Sequence, residues 1–144
     1  MKVIILPIFL LFLNLTSCAQ KKSGGQIGGP CEGCDAIFEC PVPFDQLNWI
    51  DTLPDFKDAG PKMLITGTIY EADGKTPARH AVLYIYHTDQ RGIYAMKGNE
   101  KGWAKRHGYI RGWIPPNENG RYAFYTLKPA AYLRESIPAH VHPE

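Results

Sequence analysis

The stretch that decides the fold is residues 119–126, which read NGRYAFYT. An Asn-Gly pair favours a tight turn, and the six residues after it alternate as in a strand with two different faces. Residues 81–87, AVLYIYH, predict a second strand, because β-branched and aromatic side chains suit a pleated, largely buried surface. Both stretches indicate a fold built from short strands.

Two further segments extend this pattern. Residues 63–70 read MLITGTIY and precede an Asp-Gly turn signal, and residues 109–114 predict another strand, which two prolines close. The 14 glycines and 12 prolines would interrupt any long helix. The expected fold is therefore an all-β antiparallel sandwich, preceded by an irregular segment at residues 41–61.

Length and charge limit the class of protein further. The 144 residues fit one domain, and 44% hydrophobic residues are enough for one packed core. The 16 Lys and Arg nearly balance the 14 Asp and Glu, and they do not cluster as they would in a nucleic-acid-binding protein. We expect no nucleic-acid partner, and the oligomeric state is left open.

The N-terminus reads as an export signal. Lys2 precedes an apolar run at residues 3–13, which is too short to span a bilayer comfortably, and Leu-Thr-Ser-Cys18 resembles a bacterial lipobox. We expect a signal peptide at 1–17, a lipid on Cys18, a flexible tether at 18–30 and anchoring to the outer membrane, on its periplasmic or surface side. The alternative is an ordinary secretory signal with a chance cysteine.

Three more cysteines follow the tether. Cys31, Cys34 and Cys40 open the expected folded domain, residues 31–144. An exported chain meets oxidising conditions, so we expect one disulfide and one free thiol, with the pairing left open. A zinc site would need a second ligand pair, and the sequence nearby does not provide one.

The strongest chemical signals lie near the C-terminus. His140 and His142 share a face if they lie in a strand, and Tyr132 precedes them by eight residues. Tyr94 follows a Gly-containing loop, where functional groups are often displayed. Two imidazoles suit several transition metals, and phenolate oxygens favour a ferric ion. The plainer interpretation is that the two histidines are solvated or incidental.

These residues together resemble the intradiol ring-cleavage dioxygenases. The resemblance runs from about residue 64 to residue 142 and rests on three motifs in order: a tyrosine after a Gly-containing loop, the pattern Gly-x-Tyr-x-Phe-x-Thr-x-x-Pro-x-x-Tyr at residues 120–132, and Pro-Ala-His-x-His at residues 138–142. The ordered tyrosines and histidines are the specific part, since many prealbumin-like sandwiches share the first strands.

The resemblance implies a cofactor and a reaction. Non-haem Fe(III) would be held by two tyrosinates and two histidines, which map onto Tyr94, Tyr132, His140 and His142. The substrates would be a small aromatic diol of the catechol type and O₂. The Tyr132 ligand would leave the metal and act as the base, and the ring would open between its hydroxylated carbons to give a muconate-type diacid.

Two positions depart from the family pattern. The family places an arginine three residues before the first histidine, and this chain has Ile137 there. Arg134 and Arg111 are the substitutes expected to stabilise substrate charge. The chain also stops at Glu144, where the family continues with further strands, so we expect the domain to be incomplete at its C-terminus.

One alternative function stays open at this point. The alternative is a non-catalytic binding or structural lipoprotein of the prealbumin or carboxypeptidase-regulatory type, in which the histidines are incidental. Convergence of the four proposed ligands around one point would distinguish the two hypotheses, because function depends on the site and not on the fold alone.

Overall fold

The computed structural model describes residues 33–144, which form six β-strands, one α-helix and three 3-10 helices. The strands are β1 (Ile50–Thr52), β2 (Lys62–Thr68), β3 (Leu83–His87), β4 (Arg111–Ile114), β5 (Arg121–Leu127) and β6 (Val141–Pro143). Helix α1 spans Gly102–His107, and the 3-10 helices span Cys34–Glu39, Phe44–Gln46 and Pro54–Lys57.

The strands form two three-stranded sheets. Sheet I has the order β1-β5-β2, and sheet II has the order β4-β3-β6. Every pairing is antiparallel except that of β1 with β5, which is parallel. The all-β antiparallel sandwich expected from the sequence is confirmed, with β1 as a short parallel edge strand.

The turn before β5 forms as its sequence predicts. Gly120 has a φ of 73°, a conformation that glycine adopts without strain. A Cβ at Gly120 would lie 2.5 Å from the carbonyl oxygen of Ile69, so a larger residue would collide with the backbone that follows β2. The Asn117 side chain accepts hydrogen bonds from the backbone N–H groups of Asn119 and Arg121.

The facing sides of the two sheets form the core. Alternation along β3 turns Leu83 and Ile85 towards sheet I and turns Tyr84 and Tyr86 outwards. Five buried side chains fill this interior: Leu53, Ile85, Ile110, Ile114 and Phe124. Each contributes roughly 1.5–3 kcal/mol by its removal from water.

A buried polar network ties the third 3-10 helix to β5. The carboxylate of Asp55 accepts hydrogen bonds from the Thr126 hydroxyl at 2.9 Å and from the backbone N–H of Leu127 at 3.0 Å. His87 Nε2 lies 2.7 Å from the same hydroxyl. Burial lowers the pKa of His87. The network satisfies polar groups that would be costly to bury without partners.

The outer face of sheet II is covered by helices. Glu39, in the first 3-10 helix, accepts a hydrogen bond from the backbone N–H of Trp103 at 2.8 Å and pairs with Arg111 at 2.8 Å. The indole of Trp113 donates to the carbonyl of Ile37. These contacts hold α1 against the outer face.

The structure changes three sequence expectations. The sequence predicts short strands and no helix, but Gly102–His107 form α1. The strand expected at 109–114 begins only at Arg111, and the irregular segment 41–61 contains β1.

The cysteines and the N-terminal segment are only partly described. Cys34 takes part in a disulfide and Cys40 is a free thiol, in line with the expectation of one disulfide and one free thiol. The proposed signal peptide at 1–17, the tether at 18–30 with Cys18, and Cys31 lie outside the described residues. Within residues 33–144, helices of the length and apolar character needed to cross a membrane are absent.

Candidate metal centre

Four side chains that the sequence singled out meet at one point on the outer face of sheet II. The hydroxyl groups of Tyr94 and Tyr132 are in direct contact. His142 Nε2 lies 2.9 Å from the Tyr94 oxygen and 2.8 Å from the Tyr132 oxygen. His140 Nε2 lies 3.0 Å from His142 Nε2 and 3.3 Å from the Tyr132 oxygen.

These separations fit the ligand shell of one metal ion. Nitrogen and oxygen ligands lie about 2.0–2.2 Å from a transition metal, which places neighbouring ligand atoms about 3 Å apart. Among residues 33–144, clusters of three His, Cys, Asp or Glu residues arranged for a metal are absent. The cluster described here consists of two imidazoles and two phenols. Two imidazoles with two phenolates are a donor set suited to Fe(III).

Strand pairing places the two histidines on the outer face. His142 is opposite Tyr86 in the antiparallel pair of β3 and β6, so both side chains leave the sheet on the same side. His140 lies just before β6, two residues away, and its Nδ1 donates to the carbonyl of Pro138 at 2.7 Å. That hydrogen bond leaves the Nε2 lone pair of His140 directed at the cluster.

A tight turn after β3 brings Tyr94 to Tyr132. Asp89 accepts hydrogen bonds at its side chain from the N–H groups of Arg91 and Ile93, which closes the turn. Gly92 has a φ of 75°, and a Cβ there would lie 2.0 Å from the carbonyl oxygen of Ala131. Only glycine therefore allows the loop of Tyr94 to lie against the segment of Tyr132.

Stacked rings fix the plane of His142. The Tyr86 ring lies parallel to the His142 ring, with centroids 4.5 Å apart and an angle of 6° between planes. The other face of Tyr86 stacks on His107 at 3.8 Å and 5°. The Tyr84 hydroxyl forms a hydrogen bond with Nδ1 of His107, 2.9 Å away. This set, which we call the ring stack (His142, Tyr86, His107), rests on the outer face of sheet II.

The electrostatics of the cluster favour the neutral side chains. Burial, reinforced by the neighbouring Tyr132 hydroxyl, raises the pKa of Tyr94 well above its usual value. Burial and the nearby His140 lower the pKa of His142. A neutral imidazole is ready to bind a metal, whereas each phenol must lose a proton. A bound cation would supply the charge that stabilises the two phenolates.

A cavity of about 240 Å³ opens beside the cluster. Tyr94, Tyr132 and His142 form one side of it. The other side consists of residues that the sequence did not assign to the site: Tyr86, Trp103, Arg106 and His107. Three of these come from α1, at helical spacing of three and four residues. That spacing was present in the sequence, but six residues are too few to predict a helix.

The two arginines expected at the site are not among the residues that line this cavity. Arg111 forms an ion pair with Glu39, and its guanidinium carbon lies 5.1 Å from the centre of the Trp113 ring. Arg134 is exposed and has a φ of 69°. Neither lines the cavity, whereas Arg106 does. Ile137, at the position of the family arginine, is 47% exposed.

Comparison with known proteins gives the same family as the motifs. Residues 42–142 match the family described as dioxygenase. The chain is 35% identical over 124 residues to catechol 1,2-dioxygenase 1 of Acinetobacter lwoffii, covering 84% of this chain and 38% of that protein. It is 33% identical over 76 residues to catechol 1,2-dioxygenase of Acinetobacter baylyi, covering 51% of this chain and 22% of the relative. The chain thus spans well under half the length of these relatives.

Solved structures show the same fold. A catechol 1,2-dioxygenase from an Acinetobacter species, inhibited by bound mercury, superposes with a TM-score of 0.51 at 27% identity, over 65% of this chain and 35% of that one. An intradiol ring-cleavage dioxygenase from Tetranychus urticae matches in fold, with a TM-score of 0.51 at 24% identity over 72% of this chain and 53% of that one. Members of this group use non-haem Fe(III). The protein belongs to the intradiol ring-cleavage dioxygenase family.

Proposed function

We propose that the protein opens a catechol-type aromatic ring with O₂ at a single ferric ion held by Tyr94, Tyr132, His140 and His142. The observation that carries this proposal is the convergence of two phenol oxygens and two imidazole nitrogens, with separations of 2.8–3.3 Å where nitrogen is involved. Incidental surface histidines would not face two half-buried tyrosines, so this convergence favours a metal centre over a purely structural sandwich.

The proposed reaction balances without a further reductant. The diol loses its two hydroxyl protons as it binds, and the ring bond between the two hydroxylated carbons breaks. Both atoms of O₂ enter the product, which is a muconate-type diacid. The ferric ion would supply the Lewis acidity that makes the diol acidic enough to lose its protons.

Tyr132 is the proposed base. Its oxygen contacts the other three ligand atoms, and it lies between the exposed residues Ala131 and Leu133, where the chain has room to move. A phenolate that leaves the metal would take up one substrate proton at Oη. Tyr94 packs beside Tyr86 of the ring stack, with ring centroids 5.7 Å apart, and would stay bound.

The first experiment measures metal content and colour. We expect one iron per chain and a broad visible charge-transfer band from tyrosinate bound to Fe(III), which ordinary protein lacks. Addition of catechol with O₂ should then yield the muconate absorption. Tyr70→Phe, at an exposed tyrosine outside the ligand cluster, is the matched control and should keep both iron and colour. A folded, colourless and iron-free protein would contradict the proposal.

We propose separately that the chain is exported and anchored by lipid on Cys18 to the outer membrane, with the catalytic domain outside the cytoplasm. The lipobox-like residues 15–18 support this proposal. Cys18→Ser should move the protein from the membrane fraction to the soluble fraction and abolish incorporation of labelled fatty acid. Unchanged membrane association in that variant would contradict it.

A further inference from the structure

Another cavity, which we call the sheet I cavity, spans three neighbouring segments of sheet I. Trp49 precedes β1, Arg121 and Tyr122 begin β5, and residues 66–68 end β2, and all of them line it. Its volume of about 390 Å³ falls within the roughly 300–1,000 Å³ that are typical of small-molecule sites. The described residues that line it differ from all those that line the cavity beside the metal ligands.

Backbone hydrogen bonds fix the walls of the sheet I cavity. The turn before β5 contributes Asn117 and Asn119 to the lining, and the Asn117 side chain accepts hydrogen bonds from the N–H groups of Asn119 and Arg121. On the other side of β5, the carbonyl of Trp49 accepts a hydrogen bond from the N–H of Ala123 at 2.9 Å. The walls are therefore held in place before a ligand arrives.

Several lining side chains have polar groups that the described part of the protein leaves without a hydrogen-bond or ion-pair partner. They are the side chains of Thr66, Thr68, Asn119 and Arg121. Thr68 and Arg121 are directly opposite each other in the pair of β2 with β5, and both are exposed. Together these groups offer amide, hydroxyl and guanidinium donors, and amide and hydroxyl acceptors, to a ligand.

A cavity of about 340 Å³ elsewhere in the described chain shows the opposite pattern. There, Asp58 accepts a hydrogen bond from the Tyr109 hydroxyl at 2.6 Å and pairs with Lys97 at 3.0 Å. Asp89 pairs with Arg91 at 2.8 Å. The charges of that cavity are already matched within the protein, so its polar groups do not indicate a ligand, whereas those of the sheet I cavity do.

The lining of the sheet I cavity defines the chemistry of its ligand. Trp49 is 39% exposed and offers a flat, apolar ring. Arg121 is the one charged residue among the described residues that line the cavity. A matching ligand has one flat, apolar face, several hydroxyl groups and one negative charge. A purely aromatic acid would leave the amide and hydroxyl groups of the cavity unused.

We propose that the sheet I cavity binds an acidic sugar, which is a pyranose ring with several hydroxyls and one carboxylate. The C–H groups of one ring face would pack on the indole of Trp49, whose electron-rich face attracts them. The guanidinium of Arg121 would hold the carboxylate through two parallel N–H···O hydrogen bonds. The sugar hydroxyls would form hydrogen bonds with Asn119 and Thr68. This inference is independent of the metal centre, with which the cavity shares none of its lining residues.

The binding test is an NMR titration of the isotope-labelled protein with D-glucuronate, D-glucose and benzoate. We expect D-glucuronate to bind with a Kd of about 1 mM and to shift the signals of the Trp49 indole N–H and of the Thr68 and Arg121 amides. D-glucose lacks the carboxylate and should bind about tenfold more weakly. Benzoate lacks the ring hydroxyls and should also bind more weakly than D-glucuronate.

Two variants assign the contacts to residues. Arg121→Gln should weaken the binding of D-glucuronate by about tenfold and change that of D-glucose by less than about twofold. Trp49→Ala should weaken the binding of both sugars by about tenfold, and Trp49→Phe, which keeps an aromatic ring, should lose less. Arg79→Gln makes the same substitution at an exposed arginine outside the cavity and should bind both sugars like the wild type.

Three outcomes would overturn the inference. Benzoate that binds more tightly than D-glucuronate would identify the ligand as an aromatic acid and not a sugar. Unchanged affinity for D-glucuronate in both Arg121→Gln and Trp49→Ala would place its binding outside the sheet I cavity. Spectra that stay unchanged up to about 10 mM D-glucuronate would show that the cavity does not bind acidic sugars. These readouts need neither iron nor ring opening, so they stand or fall separately from the proposed function.

Discussion

The two faces of sheet II differ in chemistry although the same strands build them. On β3, Ile85 is fully buried in the apolar core between the sheets, whereas the adjacent Tyr86 stacks on His142 on the opposite face. Alternation of side chains lets one strand serve as scaffold on one face and as support for a site on the other. Substitutions at neighbouring positions should therefore affect different properties of the protein.

The largest effect on stability should come from the inner face. Ile85→Ala removes a fully buried side chain and leaves a cavity, so we expect the free energy of unfolding to fall by about 3 kcal/mol. Chemical denaturation measures this loss. The iron content per folded chain should stay at the wild-type level, and loss of iron in the folded fraction would show that the two faces are not independent.

Substitution of the ligands on the outer face should weaken iron binding and leave the stability of the fold almost unchanged. His142→Ala and Tyr132→Phe should each lower iron affinity by about 100-fold or more, an effect of roughly 2.7 kcal/mol on binding. The free energy of unfolding of the iron-free variants should lie within about 1 kcal/mol of that of the iron-free wild type. Competition with a chelator measures the affinity, and His80→Ala, at an exposed histidine, is the control. Unchanged iron content in both variants would contradict the assignment of His142 and Tyr132 as metal ligands.

The ring stack should have a smaller effect of the same kind. Tyr86→Leu removes the parallel ring that fixes the plane of His142, so iron affinity should fall by about tenfold. Tyr86→Phe keeps the ring and should bind iron like the wild type. Equal affinities for the Leu and Phe variants would show that stacking does not position His142.

The smallest effect should be a pH dependence that arises at His107. Burial, with the nearby Arg111 charge, lowers the pKa of His107 to about 4. Between pH 6.5 and pH 4 the unfolded chain therefore takes up a proton that the folded protein does not, so stability falls as the pH falls through this window. We expect a loss on the order of 1 kcal/mol between pH 7 and pH 5.

His107→Gln should flatten this part of the stability profile, and His80→Gln should not alter it. Denaturation midpoints at several pH values provide the measurement. A profile that stays equally steep in His107→Gln would assign the dependence to other groups, of which buried His87 is the first to examine.

Local patterns predicted the strands of this fold well. The turn at Gly120 and the alternation in β5 depend on residues close in sequence, and both appear as expected. Strand β1 was missed because it is three residues long and exists through parallel pairing with β5, more than seventy residues away. Helix α1 was missed because contacts such as the Glu39 hydrogen bond to Trp103, and not helical periodicity, hold it.

The candidate site, too, could be predicted only in part. An ordered motif marked Tyr94, Tyr132, His140 and His142, and the structure brings these four together. The arginine that lines the cavity was not predictable in this manner, because its position depends on how α1 docks on the sheet. Arg111 stood in a motif and forms an ion pair with Glu39, whereas Arg106, outside every motif, lines the cavity.

The central position of β5 in sheet I has a consequence for synthesis. Strands β1 and β2 both pair with β5, and in the described chain they do not pair with each other. A nascent chain that ends before residue 121 therefore holds two strands whose shared partner has not yet been made. The Asp55 carboxylate likewise cannot accept its hydrogen bonds from Thr126 and Leu127 until these residues have been synthesised. Ribosome-bound chains of 110 residues should thus be readily digested by protease, and resistance should arise only after β5 has emerged from the ribosome.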